Sequence, residues 1–203
     1  MAGSSSTPGS RSQVPSARTR ILDAASAIMR RDGLARATTK EIAREAGCSE
    51  ALLYKHFPDK QDIFLRMLSE RSPRLGSASE LPGTGTVTGN LESLVTDLLE
   101  FYAQTFPIAA SIFSSTDLLT AHREAMTSRG AGPQGPVHLL ACYLDQEAQR
   151  GRLPQACDTD AVARLLTGAA LHEAFLAAYA GEPTHEAAAL AHRLVSAVGL
   201  EPR

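Results

Sequence analysis

The chain has 203 residues, of which 43% are hydrophobic, 21% charged and 5% aromatic, with no Trp and a formal net charge of -2 at pH 7. That balance excludes collagen, fibrous coiled coil and wholesale disorder, and the length excludes a large multidomain enzyme while allowing one compact domain or two small ones. The three cysteines, Cys48, Cys142 and Cys157, contain no Cys-x-x-Cys pair, so neither a disulfide framework nor a thiolate zinc site is indicated and a reducing, intracellular setting fits.

Residues 1–17 are Ser, Gly, Pro and Arg with little to bury, and are expected to form a disordered arm. They lack the apolar core of a secretory signal, and no stretch reaches about 18 consecutive apolar residues, so a cytoplasmic protein with no membrane partner is expected. Charge is divided unevenly about Arg71. Residues 1–71 carry 12 Lys+Arg against 8 Asp+Glu, net +4, whereas residues 72–203 carry 8 against 14, net -6. The smaller, basic part is the one suited to a polyanion.

From Ala17 the pattern is helical. Ile21, Ala25, Ile28 and Met29 form one stripe on a helix ending near Gly33. Thr38-Thr39-Lys40-Glu41 reads as a capping box opening a short second helix, which buries Ile42, Ala43 and Ala46 and stops at Gly47. Ser49 caps a third helix, Glu50 to Phe57, which Pro58 ends. Asp59 caps a fourth through Ile63, Phe64, Met67 and Leu68. Residues 73–89, rich in Gly, Ser, Thr and Pro, divide residues 18–72 from a larger helical domain at 90–203.

In that larger part Leu91, Leu94, Val95, Leu98, Leu99 and Tyr102 give the strongest amphipathic pattern in the chain. Pro107 is expected to start a separate short segment holding Ile108, Ile112, Phe113 and Leu118. Val137, Leu140, Ala141 and Leu144 mark the next helix, and Asp158 with Thr159 caps another running to Ala180. That helix is apolar on more than one face, as expected of one sandwiched between neighbours or crossing a subunit interface. Pro183-Thr184 opens the last, striped by Ala187, Leu190, Ala191, Leu194, Val195 and Val198. The sequence contains no convincing strand, and the expected fold class is all-α.

Thr38 to Phe57 therefore reads as a helix-turn-helix, whose second helix in DNA-binding units enters the major groove. A plain helical hairpin has the same outline. The run T-T-K-E-I-A-R-E-A-G-C-S-E-A-L-L-Y-K-H-F-P-D-K, Thr38 to Lys60, closely resembles the DNA-binding signature of TetR-like (tetracycline-repressor-like) transcriptional regulators, and the likeness extends over Arg18 to Arg71. The resemblance implies a homodimer with an N-terminal three-helix unit on a palindromic operator and a larger helical domain that binds a small effector and dimerises. It also implies that Tyr54 and Lys60 hold DNA phosphates, while Lys55 and His56 touch the groove wall or phosphate.

The residue chemistry is compatible with that implication. Thr39 and Lys40 offer a hydroxyl, backbone N–H groups and an ammonium to a phosphate. Ser49, Glu50 and Ala51 open the recognition helix. Glu50 departs from a phosphate-binding role, leaving three options: accepting from a cytosine N4 amino group, which is slightly favoured, pairing internally, or pointing away. Cys48 stands where the family usually has a small aliphatic residue and reads as a small hydrophobe, with a redox-sensing thiol as the sharper alternative.

For the larger domain, Phe101, Tyr102, Phe106, Phe113, Tyr143 and Phe175 are candidate walls of an effector cavity, with His138, Cys142 and His172 as polar contacts. Core packing accounts for most of these aromatics equally well. His138 and Cys142 could supply two ligands to a soft metal with His172 completing the set, but nothing in the sequence brings them together, so no metal and no cofactor is expected. His172 and Glu173 diverge by about 100 degrees on a helix, which argues against a catalytic dyad. Leu165, Ala169, Leu176, Leu190, Leu194 and Val198 are the expected dimer contacts. The resulting expectation is a homodimeric, ligand-responsive repressor and not an enzyme. An activator on the same scaffold, or more remotely a helical carrier or enzyme whose helix-turn-helix no longer reads DNA, is the alternative.

Overall fold

The computed structural model describes residues 15–33, 37–71, 78–113, 115–128, 130, 132–182 and 186–200, without the side chains of residues 68, 69, 71 and 79. Most of the expected arm at 1–17, residues 73–77 of the expected boundary, the Leu68 side chain and the Pro183-Thr184 helix start lie outside the described residues. Among the described residues there are nine α-helices, one 3-10 turn and no strand.

The first four helices are α1 (Ala17–Asp32), α2 (Thr39–Glu45), α3 (Glu50–His56) and α4 (Lys60–Arg71). Their ends are set locally, as the sequence indicates. Thr38 and Glu41 form the capping box, with the Glu41 N–H donating to Thr38 Oγ1 at 3.2 Å and the Thr38 N–H donating to Glu41 Oε2 at 3.3 Å. Ser49 Oγ accepts from Leu52 N–H, and Asp59 Oδ1 accepts from Asp62 N–H at 2.7 Å. Between α2 and α3, Gly47 takes φ +63, the Gly47 N–H donates to Arg44 O, and the Cys48 N–H donates to Ala43 O. This is a Schellman closure, and its left-handed position is the reason for a glycine there.

A 3-10 turn at Ala78–Glu80 precedes α5 (Val87–Ile112), α6 (Thr116–Thr127), α7 (Gly135–Gln149), α8 (Thr159–Ala180) and α9 (Ala187–Val198). The expected break at Pro107 does not occur: α5 runs through it for 26 residues. Leu118 belongs instead to α6, capped by Ser115 Oγ. An interior proline costs a helix roughly 3 kcal/mol. Burial of Thr105, Ile108 and Ile112 around the proline offsets that cost. Hydroxyl groups also bond to α5 carbonyls on both sides, Thr105 to Phe101 O at 2.8 Å and Ser111 to Pro107 O at 3.2 Å.

Two cores result. The first joins Ile21, Leu22, Ile28, Met29, Ile42, Leu53, Phe57, Ile63 and Phe64 of the N-terminal helices with Ile108, Ile112 and Leu118. The second packs Leu91, Leu94, Val95, Leu98 and Leu99 of α5 against Leu140, Tyr143 and Leu144 of α7, Ala163, Leu166 and Ala170 of α8, and Ala191 and Val195 of α9. One helix thus serves both cores, with Pro107 at the seam. α8 is long and apolar enough, by length and composition, to cross a membrane, but one side of it packs on α5 and α7.

The turn leading into α5 is clasped from below. Glu147 on α7 is 0% exposed; its Oε1 accepts from Gly83 N–H at 2.6 Å, and Arg152 Nη1 lies 2.9 Å from Oε2. Arg152 Nη2 donates onward to Gly85 O at 2.5 Å, and Asn90 Nδ2 donates to Thr84 O at 2.9 Å. Substituting Glu147→Ala leaves a partly buried guanidinium and a backbone N–H without their acceptor, and is expected to cost about 3 kcal/mol by denaturant titration. Ile112→Ala is expected to cost about 2–5 kcal/mol, with hydrogen-exchange protection falling in α1 and α4 as well as in α5. Loss confined to α5 would show that the first core closes without it.

Candidate nucleic-acid interface

The exposed surface of the N-terminal unit is built on α2 and α3. Lys40, Ser49, Glu50, Ala51, Tyr54, Lys55 and His56 are all exposed, and Thr39 and Lys60 are half-buried. Tyr54 is a large side chain left 50% exposed, while Leu53 and Phe57 next to it are fully buried. The short α3 therefore spends its apolar side on the first core and offers the opposite side outward. A positively charged Lys40, Lys55 and Lys60 together with hydroxyl groups is the chemistry that grips a phosphate backbone, and the exposed face of a short helix is the part that reaches base edges.

Thr39, Glu50 and Tyr54 are brought together. Thr39 Oγ1 donates to Glu50 Oε1 at 3.0 Å and lies 3.3 Å from the Tyr54 hydroxyl. Glu50 thus pairs internally through one oxygen, the second of the three options its sequence position left open. Cys48 is half-buried against the first core. Lys60, at the start of α4, lines an open groove of about 490 Å³ with Asp59, Gln61, Phe64 and Leu118, and burial pushes its ammonium below the ordinary lysine value.

Two residues that the motif does not name hold this surface in place. Arg18 forms a two-pronged ion pair with Glu70, Nη1 to Oε2 at 2.7 Å and Nη2 to Oε1 at 2.6 Å, and its guanidinium lies 5.6 Å from the centre of the Phe57 ring. The hydrogen bond to Glu70 raises the Arg18 pKa above its ordinary value. Arg20 Nε donates to Ala46 O at 3.1 Å, tying α1 to the turn between α2 and α3. These pairings span 52 and 26 residues, so no local pattern reports them.

The nine effector-cavity candidates do not all converge on one place: Phe106, His172 and Phe175 meet, as do Phe101 and Tyr102, and the others lie apart. Tyr143 is a core residue whose hydroxyl donates to Val87 O at 3.3 Å. His138 and Cys142 are exposed on α7, and Phe113 is 76% exposed at the end of α5. Phe101 and Tyr102 meet edge to face, 5.2 Å between ring centres, and both are half-buried. Phe106 meets Phe175 edge to face, and Phe175 stacks between His172 and Tyr179 along α8. Among the described residues no group of three or more His, Cys, Asp and Glu side chains converges as a metal site.

Of the dimer candidates, Leu165 and Leu176 are exposed on α8 and Ala169 is half-buried between them. Leu190, Leu194 and Val198 are half-buried, packed on the second core of their own chain.

A three-helix unit with a capped, Schellman-closed helix-turn-helix and an outward-facing α3, set on a larger helical body, defines a helix-turn-helix DNA-binding protein. The profile of the family described as "Bacterial regulatory proteins, tetR family" matches residues 21–67. The chain is 31% identical to YvkB, an uncharacterized HTH-type transcriptional regulator of Bacillus subtilis (strain 168), over 132 residues, 65% of this chain and 68% of that one. Its fold is similar to the fatty acid degradation regulator FadR from Bacillus halodurans, with TM-score 0.68 and 20% identity, covering 94% of this chain and 100% of that one. It is similar also to FadR from Bacillus subtilis, solved in complex with stearoyl-CoA, with TM-score 0.65 and 17% identity over 87% and 95% of the two chains. The protein belongs to the TetR family of bacterial transcriptional regulators.

The half-buried Lys60 supplies a testable charge. In titrations of duplex DNA at several salt concentrations, Lys60→Ala is expected to weaken binding across sequences and to lower the salt slope by about one. An unchanged slope would remove Lys60 from the phosphate contacts.

Proposed function

We infer that this regulator is a homodimeric repressor that reads a palindromic operator and leaves it when a small molecule binds the larger domain. The observation that carries the reading is the uncovered face of α8. Leu165 is 65% exposed and Tyr179 85%, with Leu171, Phe175 and Leu176 also exposed. Leu165, Ala169, His172, Leu176 and Tyr179 follow a 4-3-4-3 spacing, one seam along the helix, as in packing against a second helix. A second copy across a two-fold axis covers this face and places two recognition helices on half-sites about 34–36 Å apart.

Lipid is the poorer cover for the same face, because Asp160, Arg164 and Glu173 lie within the helix, the first two as an exposed ion pair at 2.6 Å. A cytoplasmic protein with no membrane partner follows from this reading. On this reading α8 supplies Leu165, Ala169 and Leu176 to the interface, while Leu190, Leu194 and Val198 of α9 pack on the second core of their own chain.

The stearoyl-CoA complex of the similarly folded FadR supports a ligand-responsive scaffold. The half-buried aromatic side chains of α5, Phe101, Tyr102 and Phe106, are the walls an apolar effector meets. A shift of α5 on binding reaches the DNA-binding unit directly, since Ile108 and Ile112 lie in its core. The sign of control is set by operator position, and release from DNA on effector binding makes the protein a repressor wherever the operator overlaps a promoter.

Enrichment on a randomised duplex pool at near-physiological salt is expected to recover an inverted repeat, lost with Tyr54→Ala. Sedimentation velocity is expected to give a dimer for the wild type and a monomer for the Leu165→Glu, Leu176→Glu variant, which loses affinity for the two-half-site duplex. A wild type that sediments as a monomer while reading the full repeat would sink the dimer.

A further inference from the structure

The exposed seam on α8 has an ionisable group at its middle. Leu165, Ala169, His172, Leu176 and Tyr179 stand along one side of the helix, and His172, the third in order, is exposed. One turn before it lies Gly168, also exposed and without a left-handed φ, where an added Cβ would meet no neighbour among the described residues within 4 Å. Glycine weakens a helix interior, and neither backbone geometry nor packing within the chain calls for one here. Close approach of a second backbone does. Two copies of this seam pair in one of two senses. Run parallel, every position meets itself; run antiparallel in full overlap, the outer positions exchange and the middle one meets itself. His172 meets its own copy in both senses.

We propose that the α8 seam is a proton-sensitive interface, in which His172 meets its counterpart at the two-fold axis as a neutral imidazole and acid separates the two copies. The inference rests on the homodimer read from α8. Association takes the imidazole out of water among apolar side chains, which disfavours the charged form, and two imidazolium rings at one axis also repel each other. Protons are therefore released on association, so the dimer is favoured above the ordinary imidazole range and is lost as pH falls through it. The surroundings of His172 do not offset this. In its own chain His172 stacks on Phe175, 6.2 Å between ring centres, and Phe175 meets Tyr179 and, from α5, Phe106. That stack favours an imidazolium equally in the single and the paired chain and drops out of the difference. Glu173 is turned about 100 degrees away along the helix. Asp160 and Arg164 neutralise each other farther back on α8, and Glu147 of α7 is paired with Arg152. On α9, His192 lies 2.8 Å from Glu92 of α5, an ion pair that acid strengthens, so its titration has the opposite sign. The second copy brings the same seam, and with it only another imidazole and another phenol.

The test measures the dimer dissociation constant of the full chain by sedimentation equilibrium at about pH 8 and about pH 5.5. The wild type is expected to associate about 100-fold more weakly at the lower pH, a factor of about ten for each of the two imidazoles. His172→Leu and His172→Gln, neutral at both, are expected to remain dimers and to vary within about twofold. His192→Gln is expected to keep the wild-type response. Far-ultraviolet circular dichroism at each pH is expected to show the same helix content throughout. A wild-type constant that does not change with pH, or a response kept in both His172 variants, would overturn the proposal. So would loss of helix in the wild type at the lower pH, because separation would then be unfolding. A wild type that is monomeric at about pH 8 would instead sink the dimer on which the inference rests.

Discussion

The arrangement of this molecule depends on a single helix supplying side chains to two hydrophobic cores. Leu91 to Leu99 of α5 fill the core of the larger body, while Ile108 and Ile112 fill that of the DNA-binding unit. Because apolar burial rewards whatever is closest, a helix shared in this way couples the stabilities of the two parts: neither core is complete without it. The start of α6 extends the sharing through Leu118. The linker between α4 and α5, by contrast, is held at its far end by polar contacts, with Glu147, Arg152 and Asn90 satisfying the backbone of the turn at 81–86.

What was legible in the sequence was what is decided within a few residues. The Thr38–Glu41 box, the Gly47 turn and the Ser49, Asp59 and Asp158 caps each join groups three to five positions apart, and each is found in the structure. The family followed from the same local run, and the all-helical class from apolar spacings along the chain. Pro107 was misleading because the steric rule against it is local, whereas the burial that overrides it comes from elements distant in the chain. The missed Arg18 and Arg20 contacts belong to the same class of long-range fact.

Candidate sites divided along the same line. The outward residues of α3 were identifiable because a seven-residue helix has one buried side, fixed by Leu53, and whatever lies opposite is exposed. The larger domain gave no such certainty. A stripe of aromatics says that a helix buries them, but not against what, and Tyr143 went to the core while Phe175 and Tyr179 stayed outside. His138 and Cys142 share a helix face, as their spacing requires, and that face is exposed. The net positive charge of residues 1–71 lies on the part of the chain that bears the exposed Lys40 and Lys55.

The proline at the seam of α5 gives that joint a handedness. A proline ring in a helix lacks the amide that would bond to the carbonyl four residues earlier, here Ala103, and crowds that same carbonyl. Curvature that opens the helix on the ring side relieves the crowding, whereas curvature that closes it drives ring and carbonyl together. α5 is thus stiffer in one sense than in the opposite one, like a knee, where it passes from one core to the other. Any bending of α5 at this joint has a preferred direction, set by a single covalent ring.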